Sequence, residues 1–167
     1  LSAALQRLVD EDVIPRNVAK GVPLPKDATV REMRFLTPEE FARLHACIPA
    51  DYQPFVAAMY GLGLRFGEAT ALTVADVDLD VAQPVVRVSK AWKMGENGVP
   101  YLGAPKTKRA RRTVTIPAPL IPELRAALAG KSAGDLVFTA RRGGPITSGP
   151  FHAHIWQSAC DTAGLSP

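Results

Sequence analysis

An arginine inside a mostly apolar run is the first residue of this chain whose type and setting could do chemistry. In YGLGLRFGEATAL, residues 60–72, Arg65 follows a glycine-containing turn and precedes Glu68 by three positions. A guanidinium keeps its charge in proteins and is costly to bury without a partner. Its planar set of donors matches the oxygens of a phosphate. We therefore expect Arg65 to bind a phosphate, with Glu68 orienting the guanidinium.

The local structure expected around Arg65 supports this hypothesis but leaves an alternative open. A helix beginning at Arg65 would present unpaired N–H groups and the positive end of its dipole, both of which favour anions. The same spacing also fits an ordinary ion pair between positions i and i+3 on a helix surface. Spacing alone does not decide between the two interpretations.

A second cluster that could do chemistry lies in PKTKRARR, residues 105–112. Five cations fall within seven residues there: Lys106, Lys108, Arg109, Arg111 and Arg112. Side chains alternate between the two faces of a hairpin, so only some of these could reach one ligand. Such a cluster can neutralise phosphates, and a lysine at a turn could also protonate a leaving alkoxide. The alternative is a solvated turn whose charges keep an edge strand from aggregating.

The distribution of charge favours nucleic acid as a partner. The 167 residues have a net charge of +4, but residues 1–84 carry 8 Lys and Arg against 12 Asp and Glu, whereas residues 85–145 carry 12 against 3, a net of +9. A basic middle region on an otherwise acidic chain is typical of a polyanion-binding surface. No run of 18 apolar residues is present, so we expect no membrane partner. Cys47 and Cys160 lack metal-ligand spacing and are expected to be reduced thiols of a cytoplasmic protein.

Apolar periodicity and turn residues predict an α+β fold, a mainly helical domain with a small three-stranded antiparallel sheet. Helices are expected near residues 1–12, 37–48, 51–62, 65–74, 119–130 and 148–163. A meander of three strands is expected within residues 84–117, and a short buried strand at 135–139.

Several side chains have specific expected places in these elements. Thr37 is the expected N-cap of its helix, with Glu40 closing a capping box. Tyr60 is expected in the core. His152 and His154 are expected to face solvent or pack between helices, because positions i and i+2 lie on different sides of a helix. Three prolines within residues 13–25 indicate a linker, so we place a domain boundary between residues 26 and 27.

These pieces together resemble the catalytic domain of the tyrosine recombinases, the phage-integrase family. YGLGLRFGEATALTVADVDLD is similar to the family's first arginine box, roughly T-G-L-R-x-x-E-x-x-x-L-x-x-x-D-I-D. PKTKRARRTVTIP is similar to its lysine-bearing hairpin, and FLTPEEFARL to the capped helix that opens the domain. Residues 1–26 resemble the end of the upstream helical DNA-binding domain plus its linker. Residues 27–167 resemble the N-terminal part of the catalytic domain.

The resemblance implies site-specific DNA recombination through a covalent 3′-phosphotyrosine intermediate. The implied partners are double-stranded DNA and other recombinase protomers on paired sites. Arg65 would be the first catalytic arginine and Glu68 the acidic residue that supports it. Lys106 would protonate the departing 5′-oxygen, with Lys108 as second choice. Four cations would contact DNA: Lys108, Arg109, Arg111 and Arg112.

Neither a metal nor a cofactor is expected from the resemblance. Cations can stabilise the charge of the phosphoryl transition state, and a tyrosine–DNA phosphodiester conserves the bond energy.

The sequence departs from the family pattern at its C-terminal end. The family continues after a helix like ACDTAGLSP with an H-x-x-R-H motif and later the nucleophilic tyrosine, and the 167 residues contain no such motif. We therefore expect a fragment that binds DNA but does not cleave it. The alternatives are a non-catalytic DNA-binding regulator derived from an integrase, a type IB topoisomerase, and an RNA-binding basic hairpin. The short linker favours a recombinase over a topoisomerase, and an RNA-binding hairpin leaves the arginine box unexplained.

Overall fold

A computed structural model describes residues 1–23, 35–95, 99–104 and 111–165 of the chain. The chain forms two compact units, Leu1–Phe35 and Leu36–Pro167. The boundary predicted between residues 26 and 27 lies outside the described residues and stays a prediction. The assignment of residues 1–26 to an upstream DNA-binding domain likewise stays a prediction.

The described part of the first unit, residues 1–23, contains one helix and a segment that folds back onto it. Helix α1, Ser2–Asp10, confirms the predicted helix, and none of its residues is buried. The side-chain amide of Asn17 donates to the backbone carbonyl of Ser2 at 2.8 Å, which ties the following turn to the start of the helix. The chain then continues into the proline-containing segment.

The second unit contains the remaining elements in the following order: α2 (Pro38–Cys47), α3 (Gln53–Leu62), α4 (Phe66–Ala69), β1 (Val77–Asp78), β2 (Val85–Val88), β3 (Ala91–Met94), β4 (Pro100–Gly103), β5 (Arg112–Thr115), α5 (Ile121–Leu128), α6 (Ser148–Phe151) and α7 (Gln157–Thr162). One turn of π-helix, His152–Trp156, joins α6 to α7, so the predicted last helix is confirmed as a helical segment with a widened turn. The mainly helical α+β fold predicted from the sequence is thereby confirmed.

The ends of α2 and α3 are set by local chemistry. The Thr37 hydroxyl accepts the backbone N–H of Glu40 at 3.2 Å, and the Glu40 carboxylate accepts the N–H of Thr37 at 3.0 Å. The predicted capping box is therefore confirmed. Helix α3 ends at Gly63, whose φ of +59° is a left-handed conformation that L side chains adopt only with strain.

The core lies between the helices and is centred on Phe55, which is completely buried. Its ring makes edge contacts with Phe66, Phe138 and Phe151, at centroid distances of 5.3 to 5.6 Å. Buried residues of α2, α5 and α7, such as Leu44 and Leu124, complete the core. Because Phe66 is the first residue of α4, this core fixes the turn that carries Arg65.

The predicted three-stranded antiparallel sheet is present, but its connections differ from a meander. The strand order is β1–β2–β5, and β4 pairs with β3 in a separate two-stranded hairpin. The predicted meander is wrong because the extended segment 85–94 is interrupted between Val88 and Ala91, so that each half pairs with a different strand. Edge strand β1 was missed because it is only two residues long.

Three further expectations are corrected by the structure. The predicted helix over residues 65–74 stops at Ala69. The predicted strand at residues 135–139 is reduced to one bridge between Thr73 and Leu136, although the neighbouring Val137 is buried as expected. Tyr60 is 49% exposed and stacks on Phe41 at a centroid distance of 3.7 Å, so it is not a core residue.

The histidines lie as predicted, and the two cysteines do not pair with each other in the structure. His152 and His154 are exposed, which confirms that they face solvent. Cys47 is partly buried and Cys160 is buried, and both are free thiols.

Candidate functional site

Arg65 lies at the turn between α3 and α4, with a fixed backbone and an exposed side chain. It precedes the first residue of α4 in an extended conformation, φ −68° and ψ 151°. Its backbone N–H donates to Glu68 Oε2 at 2.9 Å, and its Nη1 donates to Glu68 Oε1 at 3.1 Å. The side chain is nevertheless 78% exposed. The i,i+3 ion pair and an open guanidinium therefore exist together, so the two interpretations of this spacing are compatible.

The helix-dipole part of the sequence argument does not hold. Helix α4 has only four residues, so its peptide dipoles sum to little. The N–H of Arg65 is also occupied by the Glu68 carboxylate. An anion at this place would be bound by the Arg65 guanidinium rather than by a helix end.

Glu68 is the centre of the site and is almost completely buried, with its side chain 9% exposed. Besides the two bonds from Arg65, it receives two from Arg112: Nη1 donates to Oε1 and Nη2 to Oε2, each at 2.9 Å. The hydrogen bonds from Arg112 are the largest cause that lowers the pKa of Glu68, which falls to about 2 although burial opposes the shift. Glu68 is therefore a carboxylate at any physiological pH.

Arg112 reaches Glu68 from the first residue of β5, 44 positions further along the chain. Its two-pronged contact with a carboxylate is the geometry that a guanidinium forms best. Nη2 is also 3.4 Å from the carbonyl oxygen of Gly63, which precedes Arg65 by two residues. The Glu68 carboxylate raises the pKa of Arg112 in turn. This contact joins the sheet to the turn that carries Arg65.

Sequence reasoning missed the contact between Arg112 and Glu68. Arg112 was grouped with the predicted DNA contacts, and that role stays a prediction. A signal was present, because alternation along β5 places Arg112 on the same, partly buried face as Val114, whereas Thr113 and Thr115 are exposed.

A second buried polar network anchors the strands to the segment after α4. The Thr73 N–H and hydroxyl both donate to Asp76 Oδ2, at 2.9 and 2.8 Å. Lys90 Nζ lies 2.8 Å from the same Asp76 oxygen and 2.6 Å from the Thr73 hydroxyl. The indole N–H of Trp92, on β3, donates to the carbonyl of Thr70 at 3.1 Å. The start of the β3–β4 hairpin is thus held against the arginine box.

The described residues include only some of the predicted site residues. Lys106, Lys108 and Arg109 lie outside the described residues, so their distances from Arg65 stay predictions. Arg111 is described and exposed, immediately before Arg112. On the neighbouring hairpin, Lys93 is exposed and lies opposite Tyr101, which is 49% exposed.

Two other kinds of site are absent from the described residues. Within the described ranges, no group of three or more His, Cys, Asp and Glu side chains is placed to hold a metal ion. Across the same ranges, no helix has the length and apolar character needed to cross a bilayer.

Curated relatives of this chain are integrases. Over 120 residues it is 34% identical to the ICEBs1 integrase of Bacillus subtilis, which covers 70% of this chain and 31% of that protein. Over 129 residues it is 30% identical to a putative prophage phiRv2 integrase of Mycobacterium tuberculosis, covering 74% of this chain and 32% of that protein. The chain therefore spans about a third of the length of these relatives. No family model matches the sequence.

Solved structures give the fold. The Tn1549 transposon integrase, as an arginine-to-lysine variant in complex with a circular intermediate DNA, superposes with a TM-score of 0.68 at 19% identity, over 87% of this chain and 50% of that one. XerA recombinase superposes with a TM-score of 0.61 at 17% identity, over 100% of this chain and 57% of that one. The second unit thus has the fold of a tyrosine recombinase catalytic domain. The resemblance to the phage-integrase family that the sequence predicted is confirmed.

Proposed function

We propose that this chain is the DNA-binding, arginine-box part of a site-specific recombinase, and that Arg65 contacts the phosphate at which the DNA strand is exchanged. One observation carries the proposal: the backbone of Arg65 is fixed by the buried Glu68, while its side chain stays 78% exposed. A surface ion pair needs no buried carboxylate with four N–H donors. A guanidinium that must meet an incoming phosphate needs both a rigid base and open donors.

The proposed chemistry follows from the family that the chain resembles. A tyrosine attacks one DNA strand, a 3′-phosphotyrosyl bond forms, and the 5′-oxygen departs. Arg65 stabilises the negative charge that develops on the phosphoryl oxygens. Lys106, or in second place Lys108, donates the proton that the departing 5′-oxygen takes up. The 5′-hydroxyl of a partner strand on a second recombinase protomer then reverses the step.

For the 167 residues themselves the proposed activity is binding to double-stranded DNA in the cytoplasm. They contain no H-x-x-R-H motif, so strand cleavage is proposed only for a protein in which the same domain is joined to the nucleophilic tyrosine. The net charge of +9 within residues 85–145 supplies the electrostatic attraction. The proposed phosphate contacts in that stretch are Lys108, Arg109 and Arg111.

Salt dependence of DNA binding tests this proposal directly. Each phosphate that a cation neutralises adds about 0.9 to the slope of log affinity against log salt concentration on B-DNA. With several hairpin cations and Arg65 engaged, we expect a slope of about −3 to −5, measured by fluorescence anisotropy with a labelled duplex. Arg65→Gln should make the slope about 0.9 shallower. The matched control is Arg43→Gln, an exposed arginine of α2 outside the basic stretch, which should leave it unchanged. A slope near zero would refute DNA binding by this surface.

The catalytic roles need a protein that carries the tyrosine. There, Arg65→Ala is expected to abolish trapping of the covalent adduct on a nicked substrate, because the phosphoryl charge loses its donor. Lys106→Ala is expected to slow cleavage and to be rescued by a substrate with a better 5′ leaving group. Normal adduct yield in the first case, or no rescue in the second, contradicts the assigned role. Lys108 would be tested next as the proton donor.

A non-catalytic DNA-binding regulator derived from an integrase is the second candidate. The observation that favours it is the +9 segment, which supplies attraction to DNA without requiring a nucleophile. The nucleotide sequence beyond codon 167 separates the two candidates. An open frame encoding that motif and a tyrosine supports the recombinase, whereas a stop codon supports the regulator.

A further inference from the structure

Arg112 holds both oxygens of the buried Glu68 carboxylate from a distant part of the chain. Four N–H bonds converge on the Glu68 carboxylate. Two come from Arg112, one from the Arg65 guanidinium and one from the Arg65 backbone. The Glu68 side chain is 9% exposed, that of Arg112 33% and that of Arg65 78%. The exposed guanidinium is thus supported by a second one behind it.

We propose that Arg112 is a positioning residue, which holds Glu68 so that the Arg65 guanidinium stays free to bind phosphate. This inference rests on the proposed function, because it assumes that Arg65 is the phosphate ligand. Arg112 itself acts through the carboxylate and does not need to touch DNA.

The division of hydrogen bonds at the carboxylate supports this role. Arg112 occupies both oxygens of Glu68, so Arg65 contacts them with only Nη1 and its backbone N–H. Without Arg112, both oxygens would be open to the two-pronged contact that Arg65 could then form. The carboxylate would draw the Arg65 guanidinium inward and cancel its charge. With Arg112 present, two guanidiniums share one carboxylate, and the cluster keeps a net charge of +1.

The position of Arg112 gives the contact a second consequence. It is the first residue of β5 and the last cation of the basic segment, six positions after Lys106. Its bonds to Glu68 and its proximity to the Gly63 carbonyl hold this end of the segment at the turn that carries Arg65. The same side chain therefore orients Arg65 and fixes the start of β5 beside it.

A direct contact between Arg112 and a DNA phosphate is the competing explanation, and a lysine substitution separates the two. Arg112→Lys keeps the positive charge, so a phosphate contact would largely survive it. Lysine lacks the planar guanidinium, so it cannot bind both oxygens of the Glu68 carboxylate at once. The matched control is Arg43→Lys, at an exposed position of α2 outside the basic segment.

The experiment combines DNA affinity with NMR of the arginine side chains. A short duplex is added to the 167-residue chain, and the Nε–Hε resonance of Arg65 is followed together with the affinity at several salt concentrations. In the unmodified chain the Arg65 resonance should shift on DNA addition while that of Arg112 stays nearly constant. In Arg112→Lys the Arg65 shift should be lost and the affinity should fall about eightfold at 0.1 M salt, the effect of one phosphate contact. Arg43→Lys should leave both unchanged.

The outcomes distinguish failure of this inference from failure of the proposed function. If Arg65 does not respond to DNA in the unmodified chain, the proposed function is wrong and the inference falls with it. If Arg65 responds there and responds equally in Arg112→Lys, the inference alone is wrong. A shift of the Arg112 resonance as large as that of Arg65 also overturns the positioning role, and this measurement needs no variant to fold.

Discussion

Replacing Glu68 by glutamine tests the structural reading of the site most directly. Glutamine keeps the shape of the side chain but removes the negative charge. It also replaces one carboxylate oxygen by an NH₂ group, which cannot accept the hydrogen bond that Arg112 donates there in the unmodified chain. The change leaves two guanidiniums beside each other without their shared counter-ion. We expect a large loss of stability at neutral pH, and a loss that depends on pH in a defined way.

The size of the charge-dependent loss follows from the pKa of Glu68, which is lowered from 4.5 to about 2 in the folded chain. A lowered pKa means that the stabilisation is complete well above pH 4.5 and is lost as the pH falls towards 2. From these two values, the ionised carboxylate contributes about 3.5 kcal/mol at pH 7, about 2.5 kcal/mol at pH 4 and about 1.5 kcal/mol at pH 3. The difference in stability between the unmodified chain and Glu68→Gln should therefore be smaller than at pH 7 by about 1 kcal/mol at pH 4 and by about 2 kcal/mol at pH 3.

Urea unfolding at pH 7, 4 and 3, followed by circular dichroism, measures this difference. The part that changes with pH reports the charge of Glu68, and the constant part reports how the amide packs. The matched control is Asp80→Asn, which removes an exposed partner of Arg125 in the same unit. That change should cost less than about 1 kcal/mol.

A difference for Glu68→Gln that stays constant from pH 7 to pH 3 would refute the reasoning. It would mean that the carboxylate is not held as an ion by Arg112 and Arg65. A difference below about 1 kcal/mol at pH 7 would place the contact among ordinary surface ion pairs.

Three further substitutions test the elements that hold the site. Gly63→Ala should cost about 1 kcal/mol of stability in urea unfolding, because L side chains adopt a φ of +59° only with strain. No atom lies within 4 Å of the added methyl group, so no clash adds to this cost. Unchanged stability would contradict the left-handed conformation of Gly63. Lys90→Met should cost about 2 to 3 kcal/mol in the same assay, because it leaves the buried Asp76 without its cation; a neutral effect would show that water replaces the ammonium. Trp92→Phe should lower the thermal midpoint by an amount equivalent to about 1 kcal/mol, since it removes one partly buried hydrogen bond. An unchanged midpoint would show that the indole N–H bond is not formed.

The sequence by itself determined the features that depend on neighbouring residues. The capping box of Thr37 and Glu40 and the pairing of Arg65 with Glu68 join residues three positions apart. Such contacts form whenever the local backbone is helical or turns, so residue type and spacing are enough to predict them. The mainly helical fold and the basic segment follow from periodicity and charge in the same way.

Local patterns were not sufficient where two elements compete for the same residues. The segment 65–74 has helical spacing, but Thr73 and Asp76 form a second cap that starts a new turn, and α4 ends at Ala69. The segment 85–94 alternates like one strand, but its two halves pair with different partners. Which alternative is adopted depends on packing against the rest of the chain, and periodicity does not contain that information.

Only the tertiary structure decided which cation holds the carboxylate of the site. Five cations within residues 106–112 look equivalent in sequence, and the contact between Arg112 and Glu68 spans 44 positions. It forms because β5 pairs with β2, which places the inward side of Arg112 beside the buried carboxylate. A contact between distant residues depends on the path of the whole chain, whereas the pairing of Arg65 with Glu68 could be predicted from their spacing alone.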